Sequence, residues 1–475
     1  MAIELAAARV GVLGVEQIAA RLDNRFHLLT GGGRMTLPRH RTLAAAIDWS
    51  YLLLSEVECM VLRWISIFTG GWTLEAAESI CASDKIDSKD ILDLLTQLVN
   101  KSLVVVDQGA TRYHLLETIR EYALKKLDEA GETEAVGNRH LEYYLQMADA
   151  AEPGLLSLES TAWMRRLFKE NDNLRSALTR AFASGQLEIA CRITIDLHWF
   201  WIQHSMINEA VNWLERALAL RGSLRNEKLQ AQVLGASGEV LLWVPDFNSA
   251  RQRFEESLAI FREIGDKKYI VWETIRLGIA FTYLEDSRGL TLLEESVALA
   301  RQAGDKFVLG SALLCLGECW RLLKDDAKAV ACYEESLRWA RGSSPAFQLC
   351  AALDNFANVA LHQGKIQQAE NLILESLTLS KEANMDLDML YALIPMGGVA
   401  IALGRYERAA RLLGAVAGAL QFFGIELQPT DRADWERNIT DVRTKLSTAT
   451  FNAAWNEGCA LTLEEAVNYA LKRET

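Results

Sequence analysis

The glycine run at residues 31–33 is the first place in this chain where residue type and spacing could support chemistry. A phosphate-binding loop needs Gly-x4-Gly-Lys-Ser/Thr between a strand and a helix, whereas Arg34-Met35-Thr36 follows this run. Glycines without that context give the backbone freedom and little else. We therefore interpret the run as a flexible link between two small domains.

Two cysteines and one aromatic cluster could also form sites. Cys315 and Cys319 lie about one helical turn apart and could begin a metal site, but no second ligand pair follows, so we expect buried thiols. His198 and His204 flank Trp-Phe-Trp at 199–201, which could hold a cofactor but is more typical of a solenoid core. The chain has no His-Glu-x-x-His, Gly-x-Ser-x-Gly or paired-cysteine zinc motif, so we expect no catalytic residues and no metal site.

The charge balance argues against a surface built for nucleic acid. Lys and Arg number 50 against 63 Asp and Glu, which gives a net charge of −13, and phosphate contacts need cations. We therefore expect a protein, a peptide or a small effector as the partner. Neither a signal peptide nor an uncharged stretch of the ~18 residues that a membrane span needs is visible, so we expect a cytoplasmic protein without membrane partners.

A helical pattern returns every 39 to 40 residues between about residues 160 and 424. One landmark is a serine, at Ser257, Ser296, Ser336 and Ser376. A second landmark, in phase with the first, is a small residue at Gly238, Gly278, Gly317, Ala357 and Gly397. A pair of amphipathic helices cannot bury its apolar face alone, so the units must stack. The sequence therefore predicts a mostly all-α protein with about six or seven tetratricopeptide-like (TPR-like) units, an α-solenoid over residues 161–424.

Residues 34–130 read as a winged-helix domain. We expect helices at 42–54, 59–68, 73–81 and 88–98, then a hairpin of strands at 102–107 and 112–115. Thr42 caps the first helix, and Ser55 with Glu58 forms a capping box for the second. The helix before the hairpin would read DNA in a DNA-binding module, but residues 90–99 carry Asp90 and Asp93 and no base, and only Lys101 follows before the strand. That composition favours a surface that faces protein or senses nucleotide.

Several segments together resemble the bacterial signal-transduction ATPases of the NB-ARC (STAND) type, many of which are transcriptional regulators. They include Asp-Trp-Ser-Tyr at 48–51 and Phe-Thr-Gly-Gly-Trp at 68–72, and the full set lies at residues 3–10, 37–43, 48–51, 68–76, 98–103, 112–123 and 461–466. The resemblance implies a P-loop ATPase core, a helical domain, a winged helix and a TPR sensor. Walker A and Walker B motifs are absent here, so we expect no ATP hydrolysis and no cofactor in this chain, although ATP or ADP is implied for a full-length relative.

The resemblance also implies a division of the chain. Residues 1–33 would be the remnant of the helical domain that follows the ATPase core, 131–160 a helical linker, and 425–475 a C-terminal helical cap or spacer. Glu117 falls where relatives carry an acidic nucleotide sensor, and the alternative is a solvated or capping acid near a helix start. Effector modules of the relatives would lie beyond both ends of this chain.

Positions of each first helix that resemble the concave face of the family would converge on one groove. They are Trp199, Glu239, Trp243, Trp272, Tyr283, Glu318, Arg321, Asp354, Asn358, His362 and Tyr391. Aromatic residues with a few charges suit a peptide or a flat hydrophobic ligand, although each tryptophan could instead pack in the core. Consecutive turns of one helix would expose Asp354, Asn358 and His362 together.

Three functions remain open at this point. The first is a regulatory sensor or scaffold, part of a signal-transduction ATPase-type transcriptional regulator, whose TPR groove binds a protein, a peptide or a small effector. The second is a stand-alone TPR adaptor without nucleotide control. The third is direct DNA binding by the winged helix, with DNA reached otherwise only through domains absent from this chain.

Overall fold

The computed structural model describes residues 43–107, 109, 112–342 and 344–472. The predicted helical remnant at 1–33, the glycine run and the cap at Thr42 lie outside the described residues. The chain divides into two compact units, one made of Met1–Gln146 with Lys169–Ser184 and the other of Met147–Phe168 with Gly185–Thr475.

The first unit carries the winged helix. Its elements are α1 (Leu43–Leu52), α2 (Glu56–Ile65), α3 (Leu74–Cys81), a 3-10 turn (Ser88–Asp90), α4 (Ile91–Asn100), β1 (Val105–Val106), β2 (Tyr113–His114) and α5 (Glu117–Glu129). β1 and β2 pair antiparallel, with Val105 opposite His114 and Val106 opposite Tyr113. Two longer helices follow, α6 (Thr133–Leu155) and α7 (Ser160–Ala183).

Local capping explains where these helices begin. The Ser55 side chain accepts from the Glu58 backbone and the Glu58 carboxylate accepts from the Ser55 backbone, which confirms the predicted capping box. Thr73 caps α3 as predicted. The hairpin is shorter than predicted, but Trp72 extends it through an isolated bridge to Tyr113 that sequence reasoning missed.

A buried polar network ties the hairpin of this unit to its helices. Glu170 pairs with Arg112, and its second oxygen accepts from the Tyr144 hydroxyl at 2.9 Å and from Asn173 at 2.9 Å. Asn173 also donates to the Gly71 carbonyl at 2.8 Å. Because each buried polar atom in this set has a partner, the network fixes the hairpin without leaving an unpaired charge.

The second unit is the predicted TPR-like α-solenoid. Six helix pairs run through it: α8 (Leu187–Gln203) with α9 (Ile207–Leu220), α10 (Glu227–Leu241) with α11 (Phe247–Ile264), α12 (Lys267–Tyr283) with α13 (Arg288–Ala303), α14 (Lys306–Leu322) with α15 (Asp326–Ala340), α16 (Ala346–His362) with α17 (Ile366–Ala383), and α18 (Asp386–Ala402) with α19 (Tyr406–Phe423). Three further helices follow, α20 (Pro429–Lys445), α21 (Thr448–Cys459) and α22 (Leu463–Leu471).

Both sequence landmarks mark contacts between the helices of a pair. A Cβ atom added at each landmark glycine would approach a side chain of the second helix to below 3 Å: Gly238 with Phe254, Gly278 with Leu293, Gly317 with Tyr333, and Gly397 with Leu413. The serines are fully buried. The hydroxyl of Ser257 donates to the Ala231 carbonyl at 2.9 Å, and that of Ser336 to the Gly310 carbonyl at 3.0 Å. The glycine therefore sets a close spacing in four of the pairs, and the serine joins the two helices of two of them.

The glycine contact predicts the effect of one substitution on stability. In Gly317→Val the new Cβ would lie 2.4 Å from the fully buried Tyr333 ring, and overpacking of this kind costs about 1–3 kcal/mol. Chemical unfolding should show that loss. The matched control is Gly222→Val, where nothing lies within 4 Å of the added atom, so its free energy of unfolding should change by about 0.5 kcal/mol or less. Equal effects of the two substitutions would contradict the close-packing explanation.

Candidate ligand-binding site

The second unit contains a cavity of about 300 Å³. Its walls are the first helices of all six pairs, α8, α10, α12, α14, α16 and α18, together with the end of α6 and the residues around the start of α20. The landmark glycine of a first helix packs against the second helix, so the opposite face of the first helix lines the cavity. The repeat therefore places corresponding residues of successive units around one space.

Nine of the eleven predicted groove residues line this cavity. They are Trp199, Glu239, Trp243, Trp272, Tyr283, Glu318, Asp354, Asn358 and Tyr391. The other two, Arg321 and His362, are not among its lining residues and contact α20 instead. Their role in holding a ligand stays a prediction.

Aromatic rings form much of the wall. The Trp199 ring meets Phe347 edge to face with centroids 5.0 Å apart, and Trp243 meets Tyr391 in the same way at 5.9 Å. The Trp199 and Trp243 side chains are partly exposed rather than packed in the core. Phe200 and Trp201, which follow Trp199 in the aromatic cluster, are fully buried in the core. The cluster thus contributes the rings of Trp199 and His198 to the cavity.

The chain covers its own concave face with the segment at 428–434. Five polar contacts join it to the first helices: Tyr283 to Gln428 at 2.8 Å, the Gln428 backbone N–H to the Tyr391 hydroxyl at 3.4 Å, Glu318 to Thr430, Arg321 to Asp431 at 2.7 Å, and His362 to Asp434 at 3.1 Å. The expectation that Asp354 and Asn358 are exposed is wrong, because they are 5% and 3% exposed inside the covered face. His362 is exposed, as expected, and its imidazole bonds to Asp434 of α20.

The sequence analysis did not identify several residues that line the cavity, although their position in the repeat could have indicated them. Tyr269, Gln348 and Asp388 each lie nine residues before the small landmark residue of their unit, and all three line the cavity. Nine residues turn an α-helix by about two and a half turns. Such a position therefore points away from the landmark face and toward the cavity. The 428–434 segment had no comparable signal, since it lies outside the repeats.

One group of cavity charges is internally paired. Arg276 bonds to Glu239 and, at 2.7 Å, to Glu273, while His198 lies 3.1 Å from Glu239. Burial opposes ionisation of Glu239, but Arg276 and His198 outweigh it and hold the pKa of Glu239 below its ordinary value. Burial raises the pKa of Glu273 in spite of Arg276. The Arg276 guanidinium therefore pairs with both the Glu239 and the Glu273 carboxyl groups.

A second group of acids has no such cation. Burial raises the pKa of Asp354 well above its ordinary value, and the nearby Asp388 and Asp431 add to the rise while Ser376 opposes it. Burial alone raises the pKa of Asp388 well above its ordinary value. Burial, with Asp149 and Glu152 nearby, also raises the pKa of Asp196 to about 8. These groups keep their protons where an exposed carboxyl group would have lost them.

A third group joins α14 to α20. Arg321 pairs with Asp431 and lies 3.4 Å from Glu318, and all three side chains are buried. Burial raises the pKa of Glu318 to about 7 although Arg321 opposes the rise. The same burial raises the pKa of Asp431. Two acids that compete for one guanidinium make this contact sensitive to protonation.

The described residues of the first unit offer a different surface. The exposed residues of α4 are Leu92, Asp93, Thr96, Gln97 and Asn100. The ammonium group of Lys101, directly after α4, pairs with Glu58. Glu117 lies exposed at the start of α5 and forms an ion pair with Arg120 at 2.9 Å. Its predicted role at a nucleotide stays a prediction.

Two searches of the described residues gave negative results. No group of three or more His, Cys, Asp or Glu side chains there is arranged to hold a metal ion, and Cys315 and Cys319 are free thiols. No helix of that part of the chain combines the length and the apolar character needed to cross a membrane.

Comparisons with known proteins support the winged helix and the relationship to regulators. The family model for a winged helix-turn-helix domain matches residues 54–128. Rv0890c of Mycobacterium tuberculosis, provisionally named as an HTH-type transcriptional regulator, is 33% identical over 326 residues, which are 67% of this chain and 37% of that protein. Rv0894 of the same organism is 37% identical over 157 residues, 32% of this chain and 40% of that protein. The chain therefore spans well under half the length of these relatives.

One solved structure of similar architecture is a Signal Transduction ATPase with Numerous Domains (STAND) protein with a tetratricopeptide repeat sensor, from Pyrococcus horikoshii. It aligns with a TM-score of 0.42 and 14% identity over 96% of this chain and 71% of that chain. The family match confirms the predicted winged helix, and the homology to proteins named as helix-turn-helix regulators confirms the predicted relationship to regulators.

The buried acid Asp354 predicts a pH-dependent difference in stability. A carboxyl group whose pKa is raised by folding costs stability as pH rises from its unfolded value, about 3.9, toward its folded value. Asp354→Asn removes that cost without a change in size. The variant should melt at the same temperature as the parent at about pH 3 and at a higher temperature at about pH 8.

An exposed aspartate provides the control for this measurement. Asp441 lies on the solvent side of α20, so Asp441→Asn should show no difference that grows with pH. If Asp354→Asn instead melts below the parent at about pH 8, the ionised carboxylate makes a stabilising contact and the assignment of Asp354 as a buried neutral acid is wrong.

Proposed function

We propose that this chain, which carries a winged helix-turn-helix domain and is homologous to mycobacterial proteins named as HTH-type transcriptional regulators, is the sensor part of a STAND-type transcriptional regulator. Its α-solenoid binds an effector, and the bound state alters how the remaining domains of the regulator act. The observation that carries this proposal is the convergence of six first helices, and of nine groove residues, on one cavity.

The size of the cavity favours a small effector over a protein partner. A stable protein interface buries about 800 Å² on each side, whereas the lining residues here enclose only about 300 Å³, at the small end of ligand pockets. Partly buried aromatic rings with a few polar groups are the usual lining of such pockets. A small molecule, or the end of a short peptide, fits this space.

The 428–434 segment offers a route by which binding could be communicated. Gln428 and Asp431 line the cavity and also bond to Tyr283 and Arg321. A ligand in contact with either residue therefore changes the environment of the contacts that hold α20 in place. Linkage requires the reverse as well, so a change in the position of α20 alters the affinity for the ligand.

Nucleotide chemistry enters this proposal only through the resemblance to ATPase regulators. We infer that this chain binds and does not catalyse, and that ATP or ADP would act on an ATPase domain of the whole regulator. Glu117, exposed at the start of α5, would then be the residue of this chain nearest in role to a nucleotide sensor. A stand-alone adaptor, the alternative function, would bind its ligand with no dependence on nucleotide.

The winged helix predicts a result with DNA. Because the exposed face of α4 carries an acid and no cation, the chain should not shift duplex DNA in a gel even at low salt, where phosphate contacts are strongest. Retention at low salt that is lost as salt is added would support direct DNA binding instead. Arg63 is a cation of the same unit, but Arg63→Ala is not a suitable variant for this assay, because the Arg63 guanidinium is bonded to Glu132.

Blocking the cavity tests the sensor proposal. Ala351 lines the cavity, so Ala351→Trp should fill part of it. Ala331, exposed on α15, provides Ala331→Trp as a control with the same chemical change outside. Metabolite extract from the source cells is incubated with each protein, and retained small molecules are identified by native mass spectrometry. We expect the parent and Ala331→Trp to retain the same compound and Ala351→Trp to lose it.

Two outcomes contradict the sensor proposal. The first is retention of no compound by the parent protein. The second is equal retention by all three proteins, which would place binding outside the cavity. Circular dichroism of each variant at the same concentration excludes unfolding as the cause of a loss.

A further inference from the structure

The lining of the cavity is strongly unbalanced in charge. Among the described residues that form it, the acids are Glu152, Asp196, Glu239, Glu318, Asp354, Asp388 and Asp431, and the fixed cations are Lys268 and Arg276. Neither cation is available to the other acids of the cavity. Arg276 is paired with Glu239 and Glu273, and Lys268 is exposed at the rim. Arg321, which is not part of the lining, pairs with Asp431 and Glu318, so Asp354 and Asp388 are left without a cation of the described residues.

Two of these acids are nine-tenths buried and have carboxyl oxygens without a hydrogen-bond partner of good geometry. Both carboxyl oxygens of Asp354, which is 5% exposed, are in this state, as is one oxygen of Asp388, which is 8% exposed. An unpaired buried polar atom costs about 1–3 kcal/mol of stability. Leucine at these positions would remove that destabilisation, so packing alone does not explain why the residues are acids.

The aromatic walls add a second preference for positive charge. Trp199, Trp243, Trp272 and Tyr391 line the same space as the two acids. The face of an aromatic ring attracts a cation by about 0.5–2 kcal/mol, and the attraction grows as water is excluded. Carboxyl groups and ring faces therefore favour the same kind of ligand, an apolar body that carries a positive group.

We propose that the cavity binds a small protonated amine with an apolar body, whose ammonium group is received by Asp354 and Asp388 and whose body packs against Trp199 and its aromatic neighbours. This inference rests on the proposed sensor function and names the class of its effector. A neutral ligand would offer the two acids no ionic partner, and an anion would meet few unpaired cations in the lining.

Binding of such a cation should release protons. Burial raises the pKa of Asp354 and of Asp388 and so favours their protonated form in the empty cavity, whereas an ammonium group beside them favours the ionised form. The affinity should therefore rise as pH rises toward the pKa values of the empty state. Other ionisable groups also face the space: Glu152 from α6, Asp196 and His198 from α8, Glu239 from α10, Lys268, Tyr269, Arg276 and Tyr283 from α12, Cys315 and Glu318 from α14, Tyr391 from α18 and Asp431 from α20.

Three indole compounds of nearly equal size separate charge from shape. Tryptamine carries an ammonium group, tryptophol a neutral hydroxyl and indole-3-acetate a carboxylate. Titration calorimetry on the 475-residue chain should show tryptamine binding about tenfold more tightly than tryptophol, because charge-assisted hydrogen bonds are roughly twice as strong as neutral ones. Indole-3-acetate should bind most weakly. Repeating the tryptamine titration in buffers of different ionisation enthalpy should reveal proton release.

The double variant Asp354→Asn with Asp388→Asn keeps the size of both side chains and removes both ionisable groups. It should bind tryptamine and tryptophol within about threefold of each other and release fewer protons on binding than the parent does. Asp441→Asn, exposed on α20, should behave as the parent. A melting curve of the double variant establishes that it is folded before the titrations are compared.

Three results would overturn the cation assignment. They are equal binding of tryptamine and tryptophol by the parent protein, an unchanged preference in the double variant, and binding of none of the three indoles. Each leaves the sensor proposal intact if the extract experiment still identifies a compound that Ala351→Trp fails to retain. That compound would then show which neutral or anionic chemistry the cavity accepts.

Discussion

The close approach of the two helices of each pair is the constraint on which the solenoid depends. Where the first helix has glycine, as at Gly238 and Gly317, a large side chain of the second helix occupies the space that a Cβ would need. This contact turns the opposite face of every first helix in the same direction. The cavity is the sum of those faces, so a packing requirement on one side of each helix creates a binding surface on the other.

The parts of the structure that repeat were predictable from sequence, and the parts that occur once were not. Glycine and serine at intervals of 39 to 40 residues indicated the helix pairs, and nine of eleven groove residues line the cavity because they share that register. The covering of Asp354 by the chain itself could not be foreseen. Tyr283 and Gln428 are 145 residues apart, and such a contact leaves no periodic trace. The winged helix was predictable because its capping box, at Ser55 and Glu58, is local.

Two kinds of buried charge serve different purposes in this protein. Glu170 and its partners in the first unit form a satisfied network, which fixes one conformation. The acids of the cavity are only partly satisfied, because Arg276 and Arg321 each serve two carboxyl groups and Asp354 has none. A protein that keeps unpaired acids in a space of ligand size gives up stability that binding of a suitable partner can restore.

Helix α20 is held on the concave face by ionic and hydrogen-bonded contacts, of which Arg321 with Asp431 is the most buried. The strength of such contacts depends on the absence of water, since an effective dielectric constant of about 20 gives about four times the attraction of bulk solvent. Entry of water into the cavity would weaken all the polar contacts of α20 together, and loss of that water would strengthen them. Occupancy by any molecule that displaces water therefore acts as a latch on the C-terminal segment, even without touching it.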